Sequence, residues 1–193
     1  MARPREFDEV QAMDSAVETF RMKGYEAASL MDLLGSMKLS KSSLYNSFGT
    51  KHELFLSAID HYAIKFADDL AKQIETAPSI KEGVRRAFDV VVESSTSDMD
   101  KRGCLLMNSA LEVLPQDEMA ARRIAEGVGR IRKVFLNLII SGQARGELSQ
   151  DRDVEGLADF ITMNYMGLRA VGRVYPERGR LNSLVDQTVA AIS

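Results

Sequence analysis

The stretch from Ser29 to Leu54, SLMDLLGSMKLSKSSLYNSFGTKHEL, constrains this chain more than any other, because three helix starts crowd into it. Ser29 with Asp32, then Ser40, then Thr50 with Glu53 each set a side-chain oxygen where the first free backbone N–H groups of a helix need an acceptor. Between the first two starts, Gly35-Ser36-Met37-Lys38-Leu39 suffices to end one short helix and turn into the next. Two short helices joined by a tight turn make a helix-turn-helix unit, whose second helix is of a size to enter the DNA major groove.

The charge of the stretch fits that use. From Leu33 to His52 there is no acidic residue, while Lys38, Lys41 and Lys51 supply positive charge. Ser40, Ser42, Ser43, Asn46, Ser47 and Thr50 add short hydrogen-bonding groups, and Tyr45 adds an aromatic expected to be exposed. Lysines, hydroxyls and helix N-termini suit a phosphate backbone, and Ser or Asn also reach base edges. A solvated polar turn in an ordinary helical protein accounts for the same residues. The overall balance does not separate the two, since the net charge is −3 and residues 1–54 hold seven Lys/Arg against eight Asp/Glu. Any basic footprint is therefore local.

The rest of the chain reads as helix. Its 193 residues contain four prolines, and 45% apolar with 27% charged residues is a globular composition. A single cysteine, Cys104, excludes an intramolecular disulfide and fits a reducing cytoplasm. The opening MARPREFDEV lacks the apolar segment of a signal peptide, and the apolar runs are far short of a membrane span. The expected fold class is all-α, with a DNA-binding domain over 1–49, a larger helical domain over 50–193, and a cytoplasmic location.

Taken in order, the spacing of Val10, Met13, Val17 and Phe20 predicts a first helix from about Arg5 to Met22, ended by Gly24. Thr50 opens a long fourth helix with Leu54, Phe55, Ala58, Tyr62, Phe66 and Leu70 on its apolar face, leaving at Pro78. Ser79 starts a fifth, and the run 94–98 reads as a loop. A sixth is expected over 102–111, a seventh from about Met119 to Ala144. The eighth, about Val154 to Tyr175, is apolar nearly all round and must be covered on both sides, most simply by a second copy. The ninth, about Leu181 to Ile192, carries a single stripe, so the eighth and ninth together predict a homodimer interface. His52 and His61 stand far apart with no partner at metal-ligand spacing, so neither a metal nor another cofactor is expected.

Ala16, Phe20, Gly24-Tyr25, Ala28-Ser29-Leu30, Leu33, Leu39-Ser40-Lys41-Ser42-Ser43-Leu44-Tyr45, Phe48, Lys51 and Glu53-Leu54 together resemble the N-terminal domain of the TetR family of transcriptional regulators. The family usually has glycine at the turn position held here by Lys38. The resemblance implies contact with double-stranded operator DNA by Lys41, Ser42, Ser43 and Tyr45, with Ser40, Asn46 and Ser47 beside them. Ser29 and Lys51 would grip phosphates. It also implies a C-terminal pocket for a small-molecule effector that lowers DNA affinity. Phe66, Phe88, Met107, Leu111, Phe135, Ile139, Met163 and Tyr165 are candidate walls, although large apolar side chains at helical spacing also make plain core. Gly103-Cys104-Leu105-Leu106 resembles a subgroup whose cysteines respond to electrophiles or oxidants, which adds Cys104 to the effector residues. A helix N-terminus beside Lys101 and Arg102 gives such a thiol a reason to react, and a small buried hydrophobe is the alternative.

The function these readings imply is a homodimeric DNA-binding regulator, a repressor released from a palindromic operator by a small molecule or by thiol modification. A helical small-molecule-binding protein with weak or lost DNA binding is the rival. Nothing in the sequence has the spacing of a nucleophile elbow, phosphate loop or carboxylate pair, so an enzyme is not expected.

Overall fold

The computed structural model describes residues 7–97, 103–114 and 116–192, and among these it contains helices and no strands. In chain order they are α1 (Glu9–Lys23), α2 (Leu30–Met37), α3 (Lys41–Phe48), α4 (Lys51–Glu75), α5 (Ile80–Thr96), α6 (Leu105–Val113), α7 (Glu118–Ala144), α8 (Val154–Val171) and α9 (Arg178–Ala190). No described helix is long and apolar enough to cross a membrane.

The chain forms two compact units, and α4 and α7 contribute to both. The first comprises the described residues of Met1–Ala63 with those of Cys104–Gly127. Its core is Ala16, Phe20, Leu33, Leu44, Leu54, Phe55, Ala58 and Ile59, all shut off from solvent. Phe20 and Phe55 meet edge to face at 5.2 Å between centroids. Around this core, His61 Nε2 lies 2.8 Å from the Asp14 carboxylate, and Arg123 pairs with Asp60.

The second unit comprises the described residues of Ile64–Gly103 and Val128–Ser193. Tyr165 of α8 is its centre, with the Phe88 and Phe135 rings each 5.3 Å away and Phe66 at 6.3 Å. The Arg169 guanidinium lies 4.3 Å above the Phe66 ring. Gly142 and Gly83 let helices close up where a side chain would collide with Ile80 or Leu138.

Several helix limits differ from the sequence expectation. α1 begins at Glu9 rather than near Arg5, because the Asp8 carboxylate accepts the Val10 and Gln11 N–H groups and fixes the start there. Val10, expected on the buried stripe, sits in that first turn and is 62% exposed. Arg3 and Arg5 lie outside the described residues, as do Asp98, Lys101 and Arg102. The expected loop over 94–98 is helical as far as Thr96. There the Ser94 and Thr96 hydroxyls bond back to the Val91 and Val92 carbonyls and so follow the helix instead of competing with it. α6 starts at Leu105, with Cys104 as its N-cap residue. Met119, placed on the buried stripe of α7, is exposed in its first turn. α8 stops at Val171, short of Tyr175, and α9 starts early at Arg178, whose guanidinium holds Glu93 and the Thr96 hydroxyl of α5 at 2.8 Å.

Candidate nucleic-acid interface

The interface is built from caps. Ser29 and Asp32 form a reciprocal capping box that starts α2: the Ser29 hydroxyl accepts the Asp32 N–H at 3.1 Å, and Asp32 accepts the Ser29 N–H at 3.0 Å. Lys23 reaches the same carboxylate at 2.6 Å. The Lys23 ammonium and the Ser29 donors hold the Asp32 carboxyl down at about 2. α2 ends on Lys38, the sole described non-glycine residue with positive φ, at φ 55° and ψ 41°. Its N–H returns to the Leu34 carbonyl, which ends the helix as glycine would at this position.

Ser40 then caps α3 by accepting the Ser43 N–H at 3.1 Å, and its hydroxyl also lies 3.0 Å from that of Ser42 and 2.9 Å from that of Ser43. α3 is anchored by Leu44, which is fully buried. Lys41, Ser42, Tyr45 and Asn46 are thereby turned to solvent, with Ser43 and Ser47 half-buried beside them. The Lys41 ammonium lies 6.0 Å from the Tyr45 ring centre. The hydroxyls of Ser29, Ser40 and Ser43 are committed to the caps, whereas Lys41, Tyr45 and Asn46 keep side chains directed outward. Thr50 and Glu53 repeat the capping box at the start of α4, and the Thr50 N–H and hydroxyl hold the Glu53 carboxyl below its ordinary range.

Behind this surface the turn between α1 and α2 collects four side chains. Tyr25 stacks on Phe55 at 4.4 Å. The Lys51 ammonium sits 4.7 Å over the Tyr25 ring and donates to the Glu26 carbonyl at 3.3 Å, so Lys51 is folded back onto the turn in the free protein. Glu112 of α6 accepts both the Tyr25 and Glu26 N–H groups at 2.8 Å. His52 Nε2 lies 2.7 Å from Asp117, which accepts the Ala120 N–H in the first turn of α7. That N–H and the His52 ring keep the Asp117 carboxyl below its usual value, while burial pushes the Tyr25 hydroxyl up.

The sequence reading missed Glu112, Asp117 and Lys23, and it weighed His52 for metal binding alone. Asp117 carried a signal, an acidic residue one position ahead of a helix; Glu112 carried none, since its partners lie 86 and 87 residues away. Among the described residues no group of His, Cys, Asp and Glu could hold a metal ion.

Of the nine candidate effector residues, Cys104, Met107 and Leu111 belong to the first unit and the other six to the second. Phe88, Phe135, Ile139 and Tyr165 are packed core of the second unit, with Phe66 at its edge. Leu111 is 81% exposed on α6 and Met163 is 65% exposed on α8. Met163 lines an open groove between α8 and α9 of about 450 Å³, with Val171, Tyr175 and Leu184. Cys104 is 1% exposed and its side chain makes no cap bond, while Met107 is half-buried one turn on.

A short capped helix, a one-residue left-handed stop and a second capped helix with an acid-free outer face define a helix-turn-helix DNA-binding protein. The chain belongs to the TetR family: residues 12–58 match the model described as bacterial regulatory proteins, tetR family, and residues 81–187 match the tetracyclin repressor-like C-terminal domain. It is 30% identical over 193 residues to the uncharacterized HTH-type transcriptional regulator YezE of Bacillus subtilis, covering all of both chains. It is 28% identical over 188 residues to the HTH-type transcriptional repressor ComR of Escherichia coli, covering 97% of this chain and 90% of ComR. Among solved structures it resembles the TetR family transcriptional regulator CifR, in the form of a cysteine mutant complexed with 26-bp double-strand operator DNA. That match has TM-score 0.85 and 34% identity, over 98% of this chain and 99% of the other. The protein is thus a DNA-binding transcriptional regulator of a repressor-like kind, in a family that is not a class of enzymes.

Proposed function

We propose that this chain is one subunit of a cytoplasmic homodimeric repressor that grips a palindromic operator with α3 and is released when the C-terminal helices take up a small molecule. The observation that carries the reading is the outer face of α3, where Lys41, Ser42, Tyr45 and Asn46 stand clear of the core with no acidic neighbour from Leu33 to His52. Lys41 meets phosphate or a base edge, Tyr45 and Asn46 reach bases, and Ser42, Ser43 and Ser47 complete the surface. The N-termini of α2 at Ser29, α3 at Ser40 and α4 at Lys51 offer backbone N–H groups to phosphates. Residues 1–49 act as the reading domain and 50–193 as the effector and dimer domain, with α4 linking the two.

Pairing is supported by the outer side of α8 and α9. Phe160, Met163, Val171, Val174, Tyr175 and Leu184 are all exposed, and a second copy of the same surface covers them in a two-fold arrangement. Effector entry is supported by the aromatic cluster of Phe66, Phe88, Phe135 and Tyr165 and by buried Ile139, filled in this conformation and opened by ligand. Thiol modification at Cys104 requires the first turn of α6 to open, because the thiol is buried.

The test is a gel-shift with the DNA upstream of the protein's own gene, repeated across salt concentrations. Wild type binds, and Lys51→Ala weakens binding to every sequence and flattens the salt slope by about 0.9, the release of one phosphate contact. An unchanged slope removes Lys51 from the interface. The near-neutral first 54 residues favour a second reading, a helical small-molecule binder with little DNA affinity. Absence of any shift would select it.

A further inference from the structure

The turn between α1 and α2 is held by a residue that comes from α6, far along the chain. Glu112, in the last turn of α6, places Oε2 at 2.8 Å from the Tyr25 N–H and Oε1 at 2.8 Å from the Glu26 N–H. Two adjacent backbone donors meeting the two oxygens of one carboxylate form a charge-assisted pair, stronger and more directional than ordinary turn contacts. Gly24 makes room for it: at φ +81° it has no side chain, and a Cβ there would stand 2.8–2.9 Å from the same two oxygens. α4 also holds the turn, through Lys51 on the Glu26 carbonyl and Phe55 on the Tyr25 ring. Directly after this turn come buried Ala28, the Ser29 cap and α2.

We propose that Glu112 is a positioning residue for operator binding: it hooks the α1–α2 turn to the end of α6, so that a shift of α6 moves the helix-turn-helix directly and not solely through α4. The inference rests on the reading of the chain as an operator-binding regulator. The hook is set by one side chain, since its partners are backbone N–H groups, which every residue except proline supplies at positions 25 and 26. Glu112 stands in the last turn of a nine-residue helix whose N-cap residue is Cys104, so a displacement of α6 would reach the turn through this carboxylate. Glu112 itself touches no DNA, so its loss alters affinity without altering the count of phosphate contacts.

The test uses the full chain as wild type, Glu112→Ala and Glu112→Gln, with a duplex selected by the wild type from a randomised library. Amide hydrogen exchange at Tyr25 and Glu26 is followed alongside duplex binding across salt concentrations. Glu112→Ala speeds exchange at both amides and weakens binding about tenfold with an unchanged salt slope. Glu112→Gln, which keeps one acceptor oxygen, falls between. Accelerated exchange with unchanged affinity reduces the contact to packing and overturns the proposal, and so does exchange that stays at the wild-type rate in Glu112→Ala. A wild type that selects no duplex fails at an earlier step and overturns the regulator reading itself.

Discussion

Asp32 ties three donors into one carboxylate, and its acidity makes the start of α2 sensitive to pH. Its ordinary value is 3.8 and the Lys23 and Ser29 bonds hold it at about 2 in the folded chain. A depressed carboxyl stabilises the fold fully above its unfolded value and loses that contribution as pH falls through the folded one. Protection of the Ser29 amide is therefore expected to survive at about pH 4 and to vanish near pH 2, and Asp32→Asn should remove that pH dependence; NMR-detected exchange measures both. Cys104 gives the opposite kind of expectation. At 1% exposure in the first turn of α6, its thiol should react with N-ethylmaleimide much more slowly in the native protein than in urea. Rapid native alkylation, read by mass spectrometry, would mean that this turn opens readily. Both caps, Ser29 with Asp32 and Thr50 with Glu53, were legible in the sequence because their partners stand three residues apart. Glu112 and the His52–Asp117 pair were not, because only the folded chain brings them to the turn.

At the scale of elements, the weak point of the helix-turn-helix is Lys38. It adopts a left-handed conformation in which a side chain is strained, at the position where the family resemblance led us to expect glycine. Lys38→Gly relieves that strain and gives back part of it as unfolded-chain entropy, so a net gain of about 0.5 kcal/mol is expected in urea unfolding. A loss of stability would show that Lys38 makes contacts worth more than its strain. Helix order was readable from apolar periodicity and caps, and α2, α3 and α4 fall where the sequence puts them. The misplaced limits have two kinds of cause. The start of α1 and the end of α5 are set by bonds within one turn, from Asp8 and from the Ser94 and Thr96 hydroxyls. The early start of α9 depends instead on Arg178 reaching Glu93 and Thr96 of α5, partners the local sequence does not contain.

At the scale of the molecule, α8 is apolar on both sides, one buried and one exposed. Tyr165, Ile161 and Leu168 fill the core, while Phe160, Met163 and Val171 face outward. The apolar run all round the helix signalled this in the sequence; which side belongs to the core did not follow from spacing and required the Phe88 and Phe135 rings. Val171→Glu and Met163→Glu put charge on the outward side and leave the core untouched. Both are expected to yield folded monomers in sedimentation velocity, with operator affinity lost along with pairing. A dimer that survives both substitutions would move the interface elsewhere. The pairing proposed for this surface also has a consequence for genetics. It lies far along the chain from α3, so a copy with Lys41 and Tyr45 replaced still finds a mate. Expressed beside the normal gene, such a copy would sequester good subunits in mixed pairs and derepress the target in a dominant manner.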